Sequence, residues 1–364
     1  MNKEYFDEFP LFFKGKKILI TGITGFKGSW LSYTLLKFGA KVVGYSLEPN
    51  TNPNMFSSLE LHKKMKTYFS DIRDYKKLKK VIDEENPGII FHLAAQPLVR
   101  TSYDDPLTTF STNILGTANV LEATKENKKV KAVVLITTDK VYENKEWIWP
   151  YRENDELGGY DPYSSSKACA ELVIKSYTRS FFNPDFFGKN HNTIVVSARA
   201  GNVIGGGDWS KDRLIPDMIK SMMEKKEVLE IRNPSAIRPW QHVLEPLFGY
   251  MLLAKKAFDK DKSIIGPWNF ASEEDSFIKV KDVVEKGVKI LGKGKYVFGK
   301  EDETKHETRI LKLDSTKAKS LLNWKSRLSV DESIKMTFEW YKCFYEDRKN
   351  IINFTNKQIE YYTK

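Results

Sequence analysis

Short apolar runs recur through the first half of the chain and alternate with stretches whose apolar positions fall at helical spacing. Lys17 to Thr21 is such a run, and Ser29 to Leu36 follows it with a helical pattern that Gly39 stops. Further runs stand at Lys41 to Tyr45, near Thr67 to Phe69, at Gly88 to Leu93, at Lys131 to Thr138 and at Thr193 to Ser197. Between them, Asp74 to Glu85 reads as a helix ended by Pro87. Asp105-Pro106 opens another that runs to about Glu126, with aspartate as cap and proline at the first position. Strands that alternate with helices predict an α/β fold: a parallel sheet covered on both faces and built from right-handed crossovers. After Ser197 the rhythm changes. Gly205 to Asp208 is a loop, and the remainder mixes short strands with helices such as Val330 to Tyr345, which predicts a smaller lobe. The pattern is weak after about Asn350. No repeat or long low-complexity linker separates the parts, so the lobes are expected to share an interface.

Composition narrows the function classes. A chain of 364 residues that is 41% hydrophobic can bury a large core. Its longest apolar runs are strand-length, far short of the roughly 20 residues of a membrane-crossing helix. Met1 to Lys17 carries Glu4, Asp7 and Glu8 and does not read as a signal peptide. Only Cys169 and Cys343 occur, which argues against a disulfide framework and for a cytoplasmic setting. The net charge of +11 suits an anionic ligand. Nucleic acid is not expected as a partner, because no zinc spacing, RNA-recognition signature or dense basic run with interleaved aromatics is present.

Gly22, Gly25 and Gly28 lie at intervals of three, between the first strand and the first helix. Without side chains the turn's backbone can approach a pyrophosphate, whose charge meets the positive end of the helix. That makes a Rossmann-type doubly wound sheet the expected architecture, with Gly22, Thr24, Gly25, Phe26, Lys27 and Gly28 at a dinucleotide. Lys27 suits a cofactor phosphate, with a solvated lysine as the plain alternative. Asp71-Ile72 and Leu93-Ala94-Ala95 fall at carboxyl ends of strands, where open parallel sheets bind ligands. Asp71 could instead cap the helix that begins near Asp74. The acidic residue common at the end of the second strand is replaced by Gly44-Tyr45-Ser46-Leu47, which leaves NAD and NADP both open.

Thr137-Thr138-Asp139-Lys140 ends the fifth strand on the same edge, and Tyr163 and Lys167 follow on the next helix. Residues four apart share a helix face, so the Lys167 ammonium is placed to lower the Tyr163 phenol's pKa towards neutrality and to hold a ribose. Thr138 would bind a substrate hydroxyl and Tyr163 would take its proton. His92 and His242 have no second histidine at ligand spacing, and no metal is expected.

The stretches Gly25 to Trp30, His92 to Arg100, Tyr151 to Asn154, Gly158 to Ser164, Ala198 to Trp209 and Ile237 to Val243 carry a closer likeness. With them the chain resembles the CDP-glucose 4,6-dehydratases, extended members of the short-chain dehydrogenase/reductase superfamily, over nearly its whole length. The resemblance implies bound NAD, a CDP-glucose substrate and a redox-neutral dehydration to a 4-keto-6-deoxy sugar. It implies Tyr163 as base at the 4-hydroxyl, Lys140 as base at carbon 5 and Asp139 as acid at the departing 6-hydroxyl. Asn202, Arg238 and Arg309 would hold the sugar diphosphate, the two guanidinium groups matching phosphate oxygens as a fork.

Two departures matter. The dTDP-glucose dehydratases carry Asp-Glu where Asp139-Lys140 stands, so Lys140 must either lose its proton readily or serve as a substrate anchor. Family members often have histidine at the place of Ile23. The long helices from Asp105 and from Tyr160 resemble those that pair in family dimers, so a homodimer is expected, with a tetramer as the alternative. Residues 1–203 are expected to form the NAD-binding domain, with a segment near 237–262 packing back on it. Residues 204–350 would form the substrate lobe and 351–364 a tail.

Overall fold

The computed structural model describes residues 3–225, 227–231, 233–273, 276–299 and 311–364. Six of the expected strands form β1 (Lys17–Thr21), β2 (Lys41–Ser46), β3 (Lys66–Phe69), β4 (Ile89–His92), β5 (Ala132–Ile136) and β6 (Ile194–Ala200). The strand Gly266–Phe270, which the pattern did not single out, lies beside β6 and completes a seven-stranded sheet. Its order is Gly266–Phe270, β6, β5, β4, β1, β2, β3, and all its pairings are parallel.

Alternate residues of one strand feed opposite cores, which is why the strands read as continuous apolar runs. Ile18 and Ile20 enter one core with Ala132, Val134 and Ile136, whereas Leu19 enters the other with Val133 and Leu135. Helices Phe26–Lys37, Leu244–Phe258 and Val330–Glu346 contribute to the first core; Tyr75–Glu85, Gly116–Lys125 and Pro162–Ser180 contribute to the second. The chain reverses direction across the sheet between β1 and β4, whose ends pair at Thr21 and His92. That switch point opens the crevice in which such sheets take ligands.

Three local differences from the sequence reading have physical causes. The segment after Asn350 is a helix, Ile351–Thr363, not a weakly structured tail. Ile351, Ile359 and Tyr362 are buried, but so are Thr355 and Gln358, which bond to Trp340 Nε1 and the Met336 carbonyl and dilute the apolar stripe. The helix from Asp105 is capped as expected, the carboxylate accepting from Thr108 N, but its middle widens into a π turn at Ser111–Leu115. That register shift turns Asn113 into the interior. At the amino end, Lys3–Phe13 is helical and sends Phe6, Phe9 and Phe13 into the first core. Among the described residues no helix is long and apolar enough to cross a membrane.

Candidate active site

The glycine turn is closed by backbone contact. Gly22 has φ +74, and a Cβ there would come 2.7 Å from Ala94 N; a Cβ on Gly28 would lie 2.1 Å from the Gly22 carbonyl oxygen. Gly25 is the N-cap of Phe26–Lys37 and offers no side-chain acceptor, so the helix's positive end faces the crevice without a cap of its own. Thr21 Oγ1 accepts from the amides of Leu93 and Ala94, both at 3.2 Å, and binds His92 Nδ1 at 2.8 Å. Burial lowers His92 to about 3, so it is a neutral core residue. Thr24 Oγ1 bonds Ser46 Oγ and the Leu47 carbonyl, joining the turn to the end of β2. Gly22, Thr24, Gly25, Gly28, Leu93, Ala94 and the adjoining Ala95 thus gather at the switch point. A cradle in which added Cβ atoms would strike backbone fits a dinucleotide diphosphate.

Asp71 is clasped by Arg73, whose Nη2 is 2.6 Å from Oδ2, and this pairing holds its carboxyl below the usual range. The helix cap is Asp74, so the capping alternative for Asp71 is not realised. Ile72 is buried.

Beyond β5, Thr138 caps a single 3-10 turn, Asp139–Val141. Thr138 Oγ1 donates to Asp139 Oδ1 at 2.9 Å, and its hydroxyl is a polar influence that lowers the Tyr163 phenol. Tyr163 and Lys167 occupy the first turns of Pro162–Ser180, which Asp161 caps through Ser164 N at 2.9 Å. Burial pushes the phenol up to about 12; Thr138 and Arg213 pull down, and Asp139 pushes up. Burial, then the charge of Lys27, lowers the Lys167 ammonium to about 8, against the pull of Glu171. Lys167 Nζ donates to the Ile136 carbonyl at 3.1 Å, and burial is the largest influence on the phenol.

The family model for GDP-mannose 4,6 dehydratase matches residues 19–337. The chain belongs to this family. A CDP-glucose 4,6-dehydratase of Salmonella typhimurium is 46% identical over 333 residues, 92% of each chain. The UDP-glucuronic acid 4-epimerase of Bacillus cereus, solved with UDP-glucuronic acid and NAD, has a TM-score of 0.74 at 26% identity, covering 90% of this chain and 100% of that one. The UDP-glucose 4-epimerase of Thermotoga maritima, with a TM-score of 0.76 at 22% identity over 91% of this chain and 100% of that one, shares the fold.

On the lobe side of this family member's crevice, Arg238 lies in the short strand Ile237–Pro239, paired antiparallel with Phe277–Lys279. Pro239 sits next to Gly201, where a Cβ would be 3.7 Å from the proline ring and 3.3 Å from Asp139 Oδ2. Asn202 follows directly, its carbonyl accepting from Gln241 N. Arg309 lies outside the described residues. Sequence reasoning missed Arg213, whose Nη1 is 2.7 Å from Asp208 Oδ2 and whose charge acts on both Tyr163 and Lys27. Lys27, placed at the cofactor by sequence, is lowered to about 8 by burial and then by Arg213, while Asp139 and Asp208 raise it. Asn113, turned inward by the π segment, donates to Ser166 Oγ at 2.8 Å and to the Gln96 carbonyl, linking the loop after β4 to the catalytic helix. Its only sequence signal was its place in a helix that otherwise read as regular. Among the described residues no cluster of metal-ligating side chains occurs.

Proposed function

We propose that the chain is an NAD-dependent CDP-glucose 4,6-dehydratase, forming CDP-4-keto-6-deoxyglucose. The observation that carries the reading is the grouping of Tyr163 with Thr138 and Asp139: both act on the phenol, and Thr138 donates to Asp139. When bound, NAD takes the hydride from carbon 4 and gives it back at carbon 6. Gly22, Gly25 and Gly28 with the helix end hold its diphosphate, Asp71 and Ile72 flank the adenosine side, and Lys167 holds the ribose.

The Thr138 hydroxyl has one proton to give. Without substrate it donates to Asp139. Tyr163, as the phenolate, takes the proton of the sugar's 4-hydroxyl and becomes neutral. Asp139, as the acid, gives its proton to the departing 6-hydroxyl, which leaves as water. Lys140, on the same turn and as the base, takes the carbon-5 proton and returns a proton there when hydride reaches carbon 6, with anchoring of the sugar as its alternative role. Passage of the proton held by Tyr163 to Asp139 then restores both groups. Asn202, Arg238 and Arg309 hold the diphosphate of the substrate.

Functionally, residues 1–203 with a returning segment near 237–262 carry the cofactor, and 204–350 mainly carry the substrate. Exposed Leu107, Leu115 and Leu172 on the helices beside the site support a homodimer, and the two cysteines support a cytoplasmic setting. Incubation with CDP-glucose and NAD, read by the alkaline absorbance of a 4-keto product, tests the assignment. Turnover of UDP- or dTDP-glucose without turnover of CDP-glucose would overturn the nucleotide assignment.

A further inference from the structure

One turn beyond Lys167 and on the same helix face, Glu171 is buried. Its Oε1 accepts from Thr137 Oγ1 at 2.5 Å and Arg199 Nε at 2.8 Å, and its Oε2 from Ser197 Oγ at 2.8 Å. Arg199, 2% exposed, sends Nη1 to the Tyr142 hydroxyl at 2.7 Å and to the Glu153 carbonyl, and its guanidinium lies over the Tyr142 ring. Tyr142 donates to Asn269 Oδ1, and Asn269 Nδ2 reaches the carbonyls of Tyr151 and Asp314. One carboxylate therefore ties together the helix bearing Tyr163 and Lys167, the strand end bearing Thr138 and Asp139, and the strand leading to Asn202.

A buried ion pair is a poor device for stability alone, since a well-packed apolar pair of the same volume usually serves as well. What apolar packing cannot supply is direction and charge. We propose that Glu171, held by Arg199, is a positioning residue that locks the catalytic helix to the end of β5. This rests on the dehydratase reading above. The titratable and charged groups about Lys167 are Tyr163 and Glu171 on its own helix, Lys27 from the helix after the glycine turn, neutral His92 from β4, and Arg199 from β6, which is paired with Glu171. Glu171 raises Lys167 whereas burial and Lys27 lower it, so loss of the Glu171 charge acts in the direction of the neutral form.

The test is the pH profile of 4-keto product formation from CDP-glucose by the full-length protein. Glu171→Gln keeps an acceptor for Thr137 and Arg199 and a donor for Ser197 while removing the charge. We expect a lower kcat and an alkaline limb moved to lower pH, because the Glu171 charge raises Lys167, with KM within about twofold. Glu171→Asp, which keeps the charge but shortens the reach, should hold the limb near its wild-type position and lower kcat. Thr137→Val removes the bond to Glu171 and the longer one to the Ala198 carbonyl but no charge, and should lower kcat at least about threefold with the limb unmoved; it decides the locking role if the Glu171 variants do not fold. An unchanged profile in Glu171→Gln, or an unchanged kcat in Thr137→Val, would overturn the proposal. Absence of product from CDP-glucose with the wild-type protein would instead overturn the dehydratase reading.

Discussion

On the β1 side of the crevice the chain presents backbone: the amides and carbonyls of the glycine turn, the helix end behind Gly25, and the amides of Leu93 and Ala94 anchored on Thr21. On the opposite side it presents side chains: Arg213 paired with Asp208, Arg238 on a two-stranded ribbon, and Asp139 behind Thr138. Backbone donors have no protonation state to lose and little freedom to move, which suits a cofactor that stays bound through a catalytic cycle. Side chains can reorient and titrate, which suits a substrate that arrives, reacts and leaves. The first side is intolerant of added atoms, and the second is sensitive to removed charge.

The sharpest way to separate them is a pair of identical substitutions. In Gly28→Ala the new Cβ would fall 2.1 Å from the Gly22 carbonyl oxygen and 2.9 Å from Ile23 Cα, with backbone on both counts and no side chain to swing aside. We expect a loss at or above the upper end of the roughly 1–3 kcal/mol usual for overpacking, measured by denaturant unfolding, together with loss of NAD binding. Gly25→Ala meets its nearest atom only at 3.4 Å and keeps an ordinary φ of −75. It should cost under about 1 kcal/mol, the usual difference at an N-cap. Equal losses from the two would mean that backbone closure is not what shapes this side.

Side chains should also feel pH away from the crevice. Glu245, at the start of Leu244–Phe258, accepts from the amides of Arg327 and Leu328 and from the Tyr362 hydroxyl, and so pins the C-terminal helix. Burial pushes its carboxyl up to about 7, outweighing those bonds. A folded pKa above the unfolded value means that the native state binds the extra proton. This contribution is therefore full below about 4.5 and is lost as pH rises towards 7, amounting to about 3 kcal/mol by linkage. Glu245→Gln keeps acceptors and removes the titration, so the difference in unfolding free energy between wild type and variant should slope across that window and flatten above it. A difference that does not vary with pH would show that the carboxyl is ionised throughout.

The same division explains what could be read in the sequence. Strands covered on both faces show as unbroken apolar runs, and a turn that only glycine can close shows as glycine at fixed intervals; both signals are local. Tyr163 and Lys167 were legible because helix geometry alone puts them on one face. Arg213 was not, because its meaning depends on Asp208 and on a tyrosine fifty residues earlier in the chain, brought near only by the fold. Asn113 was hidden by a π turn that breaks the 3.6 period, and the helix Ile351–Thr363 by buried Thr355 and Gln358 that satisfy their polar atoms internally.

Arg213 gives the next test. Its side chain is 37% exposed, so solvent moderates the cost of leaving Asp208 unpaired, and Arg213→Met should destabilise by about 2 kcal/mol, less than a fully buried pair would lose. The functional effect should be larger. Its charge helps lower the Tyr163 phenol, so the acidic limb of the kcat profile should move to higher pH in the methionine variant, while NAD affinity stays within about twofold. Arg213→Lys, which keeps a charge without the fork, should restore part of the shift. A fall in NAD affinity as large as the fall in turnover would assign Arg213 to the wrong side of the division.

The smallest effect should come from a side-chain contact on the backbone side. Thr24 Oγ1 is 2.8 Å from Ser46 Oγ and 3.0 Å from the Leu47 carbonyl, so it ties the glycine turn to the end of β2, where an acidic residue is absent. Thr24→Val keeps the shape and removes both bonds. Because Leu47 is exposed and water can replace its bond, while Ser46 is buried, the cost should be near 1 kcal/mol and the NAD dissociation constant should rise by less than about tenfold. Thr24→Ser should recover most of it, since the hydroxyl and not the methyl makes the contact. Should the valine variant instead lose NAD as completely as Gly28→Ala, the cofactor side would depend on a side-chain tie between turn and strand, and the contrast between the two walls of the crevice would lie in charge rather than in backbone against side chain.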